Sequence, residues 1–236
     1  MEVRSLYREP ERQEEVDWGA LELHDVFKIF RAGDTDVVAL RGLDLRVDRR
    51  ELVAVLGPSG SGKTTLLHLA AGLDQPSAGE VRVDGQSLSR LAEPELAVYR
   101  ARALALVFQT GNLWPSLTAR ENVLVSLRLA GREDSEAADD ALAHFGLRER
   151  AGHRAGALSG GEQQRVAIAA AAARRARLVL ADEPTAELDE RNEEIVLAEL
   201  QRLRRDYEST VVVVTHSPAV ARSADRLVEI RDGRVA

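Results

Sequence analysis

The sequence predicts an α/β fold on a mostly parallel sheet, with a small antiparallel β subdomain near the front and a helical subdomain inserted between sheet strands. Three runs carry the parallel sheet: Leu52-Val53-Ala54-Val55-Leu56, Leu178-Val179-Leu180-Ala181 and Val211-Val212-Val213-Val214 are continuously apolar, as strands are when helices cover both faces. Each run ends directly in a polar motif, and ligands of open α/β sheets bind beyond the carboxyl ends of the strands.

The remaining elements follow in chain order. Residues 43–48 alternate apolar and charged side chains, and Val81-Arg82-Val83 does so again before the turn pair Asp84-Gly85, which gives strands with one wet face and a hairpin. Thr118-x-x-Glu121 is a capping box that opens a helix ending near Gly131, and Asp134 or Ser135 opens another ending at Gly146. A second capping box, Ser159-x-x-Glu162, starts a helix that runs on through an alanine-rich stretch to Ala173, where helical propensity is high. After Asp189 an amphipathic helix is expected to bury Ile195, Leu197, Leu200 and Leu203. Residues 110–175 are therefore expected to be mostly helical, within one domain over 19–236 preceded by a polar extension over 1–18.

Composition narrows the function classes. At 236 residues one domain is the default, and such a chain buries about 70–75% of its unfolded surface. There is no cysteine, so disulfides and thiolate metal sites are excluded and a reducing compartment is the natural reading. The formal charge of −7 disfavours a broad nucleic-acid surface. No stretch reaches the ~20 apolar residues of a membrane span, and residues 1–17 lack the apolar centre of a secretory signal; a membrane role is expected to need another chain for the span. Lysine occurs only at Lys28 and Lys63 among many arginines, which makes position 63 a selective choice.

That lysine belongs to Gly57-Pro58-Ser59-Gly60-Ser61-Gly62-Lys63-Thr64, followed by Thr65. The pattern is a phosphate-binding loop between an apolar strand and a helix start. Its glycines let successive N–H groups point at phosphate oxygens, and the helix N-terminus adds a favourable dipole. Lys63 is expected on the β- and γ-phosphates and the Thr64 hydroxyl on Mg²⁺. Asp182-Glu183 ends a second apolar run; paired carboxylates there are costly without a cation or hydrogen bonds. Asp182 fits the Mg²⁺ side and Glu183 the residue that orients or deprotonates the attacking water. Capping the turn at Pro184 is the plainer account of the same pair.

Residues 158–165, Leu-Ser-Gly-Gly-Glu-Gln-Gln-Arg, read as an ordinary capped helix start except for Gly160-Gly161. Glycine weakens a helix by roughly 1 kcal/mol relative to alanine, and close approach of a ligand to the backbone would account for the pair. Position for position this segment resembles the signature motif of ABC ATPases, and the resemblance extends over residues 20–236. It implies a P-loop NTPase core of the ABC type. It implies that Ser159, Gly160, Gly161 and Glu162 contact ATP held in the P-loop of a second subunit. It also implies that Gln109 is the glutamine that senses Mg²⁺ and couples to the membrane partner, that His216 touches the γ-phosphate, and that Phe30 occupies the adenine-stacking position. Phe30 serves equally well as a core residue of the small sheet. Asp189, in a segment resembling the family's dimer-crossing loop, is also a good helix N-cap.

Several residues depart from the family pattern. Arg50 replaces a common glycine before Glu51, which predicts a reshaped turn. Ala186-Glu187 replaces the usual pair ahead of Leu188, Ala170 a common arginine, and Ser217 the usual aspartate after His216. Within the family, Phe108-Gln109 to Asn112-Leu113, Leu180-Ala181-Asp182-Glu183-Pro184-Thr185 and Arg231-Asp232-Gly233-Arg234 are most similar to the lipoprotein-releasing and macrolide-export group. The resemblance implies an ATPase that dimerises on ATP and Mg²⁺ and drives an integral membrane permease from the cytoplasmic face of the inner membrane. A soluble relative acting on DNA or the ribosome, or a subunit transmitting force to extracytoplasmic enzymes, are the alternatives. The first is disfavoured by the missing coiled-coil insertion and second ATPase domain.

Overall fold

The computed structural model describes residues 18–33 and 35–236, so nearly all of the expected 1–18 extension lies outside the described residues. In chain order the strands are β1 (Leu21–Ala32), β2 (Thr35–Val47), β3 (Leu52–Leu56), β4 (Ala78–Val83), β5 (Gln86–Ser87), β6 (Leu104–Val107), β7 (Leu178–Asp182), β8 (Thr210–Val214), β9 (Arg226–Arg231) and β10 (Arg234–Val235). The helices are α1 (Lys63–Ala70), α2 (Glu93–Arg102), α3 (Ala119–Leu129), α4 (Ser135–His144), α5 (Gly160–Arg174), α6 (Glu190–Asp206) and α7 (Pro218–Ser223).

Two sheets form. One has the order β10-β9-β3-β8-β7-β6, in which β9 through β6 run parallel and β10 turns back antiparallel. The other, β2-β1-β4-β5, is antiparallel throughout. Side chains alternate across a strand, and the buried residues of the central strands divide accordingly. Ala54, Val179, Ala181, Val211 and Val213 join a core with α3 to α6. Val53, Val55, Leu180, Val212 and Val214 join a second core with α1 and the antiparallel sheet. The continuous apolar runs are thus two alternating sets, each facing its own layer.

The helix starts follow local chemistry. The Thr118 hydroxyl accepts from the Glu121 N–H at 3.1 Å while the Thr118 N–H donates to the Glu121 carboxylate at 2.7 Å, and Asp134 caps α4 through the Ala137 N–H at 2.9 Å. Ser217 caps α7 with Pro218 at the first helical position. In α6 the buried stripe is Val196, Leu197, Leu200 and Leu203, while Ile195 is only half-buried. The expected position was off by one because residues 196, 200 and 203 lie on one helical face and 195 stands about 100° away from its neighbour.

The turn before β3 is not reshaped by Arg50. Its φ is 61°, the left-handed conformation that favours glycine, and its N–H donates to Thr210 Oγ1 at 2.9 Å. Arginine keeps the glycine geometry, at a cost of roughly 1–3 kcal/mol. No helix among the described residues is long and apolar enough to cross a membrane.

Candidate active site

The loop between β3 and α1 opens on a cavity of about 550 Å³ at the carboxyl ends of the parallel strands. Gly57, Pro58, Ser59, Gly60, Gly62, Lys63, Thr64 and Thr65 line it from the loop side, and Asp182, Glu183 and His216 from the ends of β7 and β8. Gly62 is the N-cap of α1 at φ 106°, with no side-chain cap and no acidic residue in the first turn. The first N–H groups of a helix have no intrahelical partner, so this end presents donors and the positive end of the helix dipole. A Cβ on Gly62 would stand 2.6 Å from the Ala39 carbonyl oxygen of β2; packing alone requires glycine there. Lys63 Nζ donates to the Gly57 and Pro58 carbonyls at 2.8 and 3.0 Å, which holds the ammonium across the loop. Ser61 differs from the expectation: it is buried beneath the loop, its N–H donating to Pro58 O at 3.2 Å and its carbonyl accepting from Gly233 at 3.0 Å.

Asp182 ends β7 with the Thr64 side chain beside its carboxyl. Burial raises its carboxyl above the ordinary aspartate range; the Thr64 hydrogen bond opposes this and the neighbouring Glu183 charge adds to it. Such a group favours a cation. Among the described residues no three acidic, histidine or cysteine side chains gather to hold a metal by themselves. A site with one hydroxyl and one carboxylate fits Mg²⁺, which takes few protein ligands and completes its shell with water and substrate phosphates.

Glu183 adopts φ 47° and donates its N–H to Val214 O at 2.9 Å. A left-handed glutamate costs roughly 1–3 kcal/mol, and such strain concentrates at functional sites. Its carboxylate meets His216 twice, Oε1 lying 2.9 Å from Nδ1 and Oε2 accepting from the backbone N–H at 3.4 Å. The two side chains expected to act on water and the γ-phosphate are therefore in direct contact.

Other expected residues lie elsewhere. Phe30 is exposed on β1 with Lys28 Nζ 4.9 Å from its ring centroid, and it does not line the cavity. Gln109 is also outside, donating from Nε2 to Glu187 Oε1 at 3.2 Å. Its loop is fixed by a residue the sequence reading passed over: buried Gln164 donates to the Phe108 and Gln109 carbonyls at 2.8 and 2.7 Å and accepts from Asn112 Nδ2 at 2.9 Å. Only a side-chain amide both donates and accepts in this way, and that was the available signal within residues 158–165.

At α5, Ser159 and Glu162 cap each other at 3.3 and 2.9 Å, and Arg150 pairs with the Glu162 carboxylate at 2.9 Å. The hydrogen bond from the Ser159 backbone, foremost, holds that carboxyl below its usual range. The paired glycines have different causes. A Cβ on Gly161 would stand 2.6 Å from Asn192 Oδ1 of α6, so contact between helices excludes a side chain. Gly160 is exposed, and a Cβ there would meet only Leu188 at an ordinary 3.5 Å. Ligand approach is thus needed to account for one glycine, not two. None of residues 159–162 lines the phosphate-loop cavity.

A phosphate loop, a strand-end carboxylate pair and a capped glycine helix start on this two-sheet frame define an ATP-binding cassette ATPase. The chain belongs to the ABC transporter family, whose sequence profile matches residues 40–186. The lipoprotein-releasing system ATP-binding protein LolD of Geobacter metallireducens is 44% identical over 218 residues, covering 91% of this chain and 97% of that protein. The macrolide export ATP-binding/permease protein MacB of Syntrophobacter fumaroxidans is also 44% identical over 218 residues, but these are 90% of this chain and 30% of that protein. The chain thus spans about a third of the length of the MacB relatives it matches. A solved ATP-binding cassette, a dimer in a post-hydrolysis state bound to ADP and Pi, superimposes with a TM-score of 0.83 at 38% identity over 91% of this chain and 96% of that one.

The split between the glycines is testable by urea unfolding. Gly161→Ala is expected to lose about 1–3 kcal/mol through overpacking against Asn192, whereas Gly160→Ala is expected to match or slightly exceed the parent. A second expectation concerns Asp182. Because its folded pKa is raised, the charged carboxylate destabilises the ligand-free protein near neutral pH, and the penalty fades as pH falls through that pKa. Asp182→Asn should therefore raise the melting temperature at neutral pH, with the difference shrinking in acid; a difference that widens on acidification contradicts the burial account.

Proposed function

We propose that this chain binds Mg-ATP and hydrolyses it as one of two identical cassettes, and that closure of the pair drives conformational change in integral membrane permease subunits. One observation carries the reading. A single chain gathers the phosphate loop, Lys63, Asp182, Glu183 and His216 around one cavity but leaves Ser159, Gly160, Gly161 and Glu162 outside it. A second copy presenting the exposed N-terminus of α5 supplies the missing donors, since such an end favours anions.

Within the closed pair the α1 N-terminus and Lys63 bind the β- and γ-phosphates. Thr64 and Asp182 would hold Mg²⁺, with Gln109 joining them after release from Glu187. The ion's contribution is to offset negative charge on the phosphate oxygens. Glu183, oriented by its contact with His216, accepts a proton from water as the water oxygen bonds the γ-phosphorus. The bond from that phosphorus to the β,γ-bridging oxygen breaks, and ADP departs with the bonding pair. His216 donates a hydrogen bond to the phosphoryl oxygens from the nitrogen not facing Glu183. Phe30 is assigned to stack on adenine.

The permease contact is assigned to a groove of about 390 Å³ beside the loop that Gln164 fixes. Leu106, Leu113 and exposed Trp114 give it an apolar side, and Ala170 leaves room where a longer side chain would project. An amphipathic helix suits such a groove. The similarity to LolD and MacB supports placing the complex in their group, at the cytoplasmic face of the membrane, with a permease supplying the span.

Glu183→Gln is expected to keep ATP affinity, lower hydrolysis by about 10²–10⁴-fold, and accumulate as a dimer with Mg-ATP in gel filtration. A nucleotide-binding variant that stays monomeric contradicts the two-copy site. Lys63→Ala removes a charge-assisted contact of about 1.5–3 kcal/mol, roughly ten- to hundredfold in Kd; an unchanged Kd in equilibrium nucleotide titration contradicts its phosphate role.

A further inference from the structure

Opposite the nucleotide cavity, at the amino ends of β3, β7 and β8, lies a second cavity of about 350 Å³. Arg49 and Arg50 precede β3, Arg175 and Arg177 precede β7, and Tyr207 after α6 and Thr210 at the start of β8 complete the lining. Because β3, β8 and β7 are adjacent in the sheet, segments distant in sequence converge there. The wall also holds two carboxylates. Asp84 lies between two guanidiniums, 3.3 Å from Arg49 and 2.9 Å from Arg177, and Glu208 meets Arg50 at 2.7 Å. Four guanidiniums against two carboxylates leave an excess of two positive charges, on a chain of net charge −7. Among the described residues Arg175 has no carboxylate partner.

Backbone conformation sets the place apart as well. Seven non-glycine residues among those described have positive φ, and four of them, Arg50, Asp84, Arg175 and Glu208, line this cavity. Two are arginines at positions that favour glycine: the turn before β3 and the left-handed C-cap of α5. Local strain of this kind persists where surrounding structure holds it and collects at ligand sites. Here it aims long cationic side chains into one space.

We propose that this cavity is a second anion site, for a soluble small molecule carrying two linked phosphoryl groups. A guanidinium presents paired N–H donors that match two oxygens of one phosphoryl group, and the two uncompensated positive charges match a compact diphosphate. The volume sits at the small end of ligand pockets, which suits such a group. Arg49, Arg50 and Arg177 remain accessible, with side chains 60%, 62% and 69% exposed, so the ligand enters without rearrangement of the sheet. Asp84 and Glu208 then hold the guanidiniums in place while the ligand is absent.

The test uses inorganic pyrophosphate as the probe in a Lys63→Ala background, which weakens the phosphate loop and separates the two sites. Arg50→Gly with Arg175→Gly removes two guanidiniums at backbone positions glycine adopts freely, so folding is preserved and the melting temperature confirms it. By isothermal titration the Lys63→Ala protein is expected to bind one pyrophosphate, and the added substitutions to weaken it at least tenfold. Equal affinity in both proteins, or binding in neither, overturns the proposal. Sedimentation with phosphatidic acid vesicles that depends on Arg50 and Arg175, without pyrophosphate binding, also overturns it by assigning the arginines to a lipid headgroup. Nucleotide dimerisation of the Lys63-containing protein is read separately, so failure here leaves the two-copy ATP site standing.

Discussion

Alternate side chains of β3, β7 and β8 belong to different cores, and the site depends on that division. Val211 and Val213 pack with α5 and α6, Val212 and Val214 with α1 and the antiparallel sheet. A slip of one residue in any of these strands would exchange both sets at once. Register is therefore held from two sides, and the strand ends stand level: Asp182 beside Val214 in β8, and Val55 of β3 beside Val214. The phosphate loop, the carboxylate pair and His216 share a cavity because three strands end where both cores fix them.

That frame places unfavourable groups at the strand ends. Asp182 is a carboxyl raised by burial, and Glu183 is a non-glycine residue in the left-handed region. Within the protein the Thr64 hydrogen bond and the charges of His68 and Lys63 offset only part of the burial penalty on Asp182. Cation and phosphate binding reverses the electrostatic part, because opposite charge nearby favours the ionised carboxylate. The resting site stores a modest preference for its ligands in groups that the surrounding sheet is stable enough to hold.

Features that depend on a few consecutive residues were legible in the sequence: the phosphate loop, the capping boxes at Thr118 and Ser159, the Asp134 cap and the central strands. Contacts between segments far apart were not. Gly161 is set by Asn192, thirty-one positions on, and no local pattern distinguishes it from Gly160. Arg50 adopts the turn of the glycine it replaces because Thr210 accepts its N–H. Gln109 stood out only through the family resemblance, and its pairing with Glu187 depends on how two loops meet. Ser61 was grouped with its loop neighbours although the loop curls over it. Ile195 and Val196 differ by one position, a margin that helical periodicity resolves only once neighbouring helices show which way α6 faces.

Gln164 ties α5 to the loop that follows β6. Its backbone belongs to α5, and its buried amide grips two carbonyls of the segment that ends in Gln109. A tilt of α5 must either carry that segment along or break both bonds and leave the buried Gln164 amide without them. The helix start proposed to face a second cassette and the loop that carries Gln109 are therefore coupled like the two arms of a bell crank, with one side-chain amide as the pin.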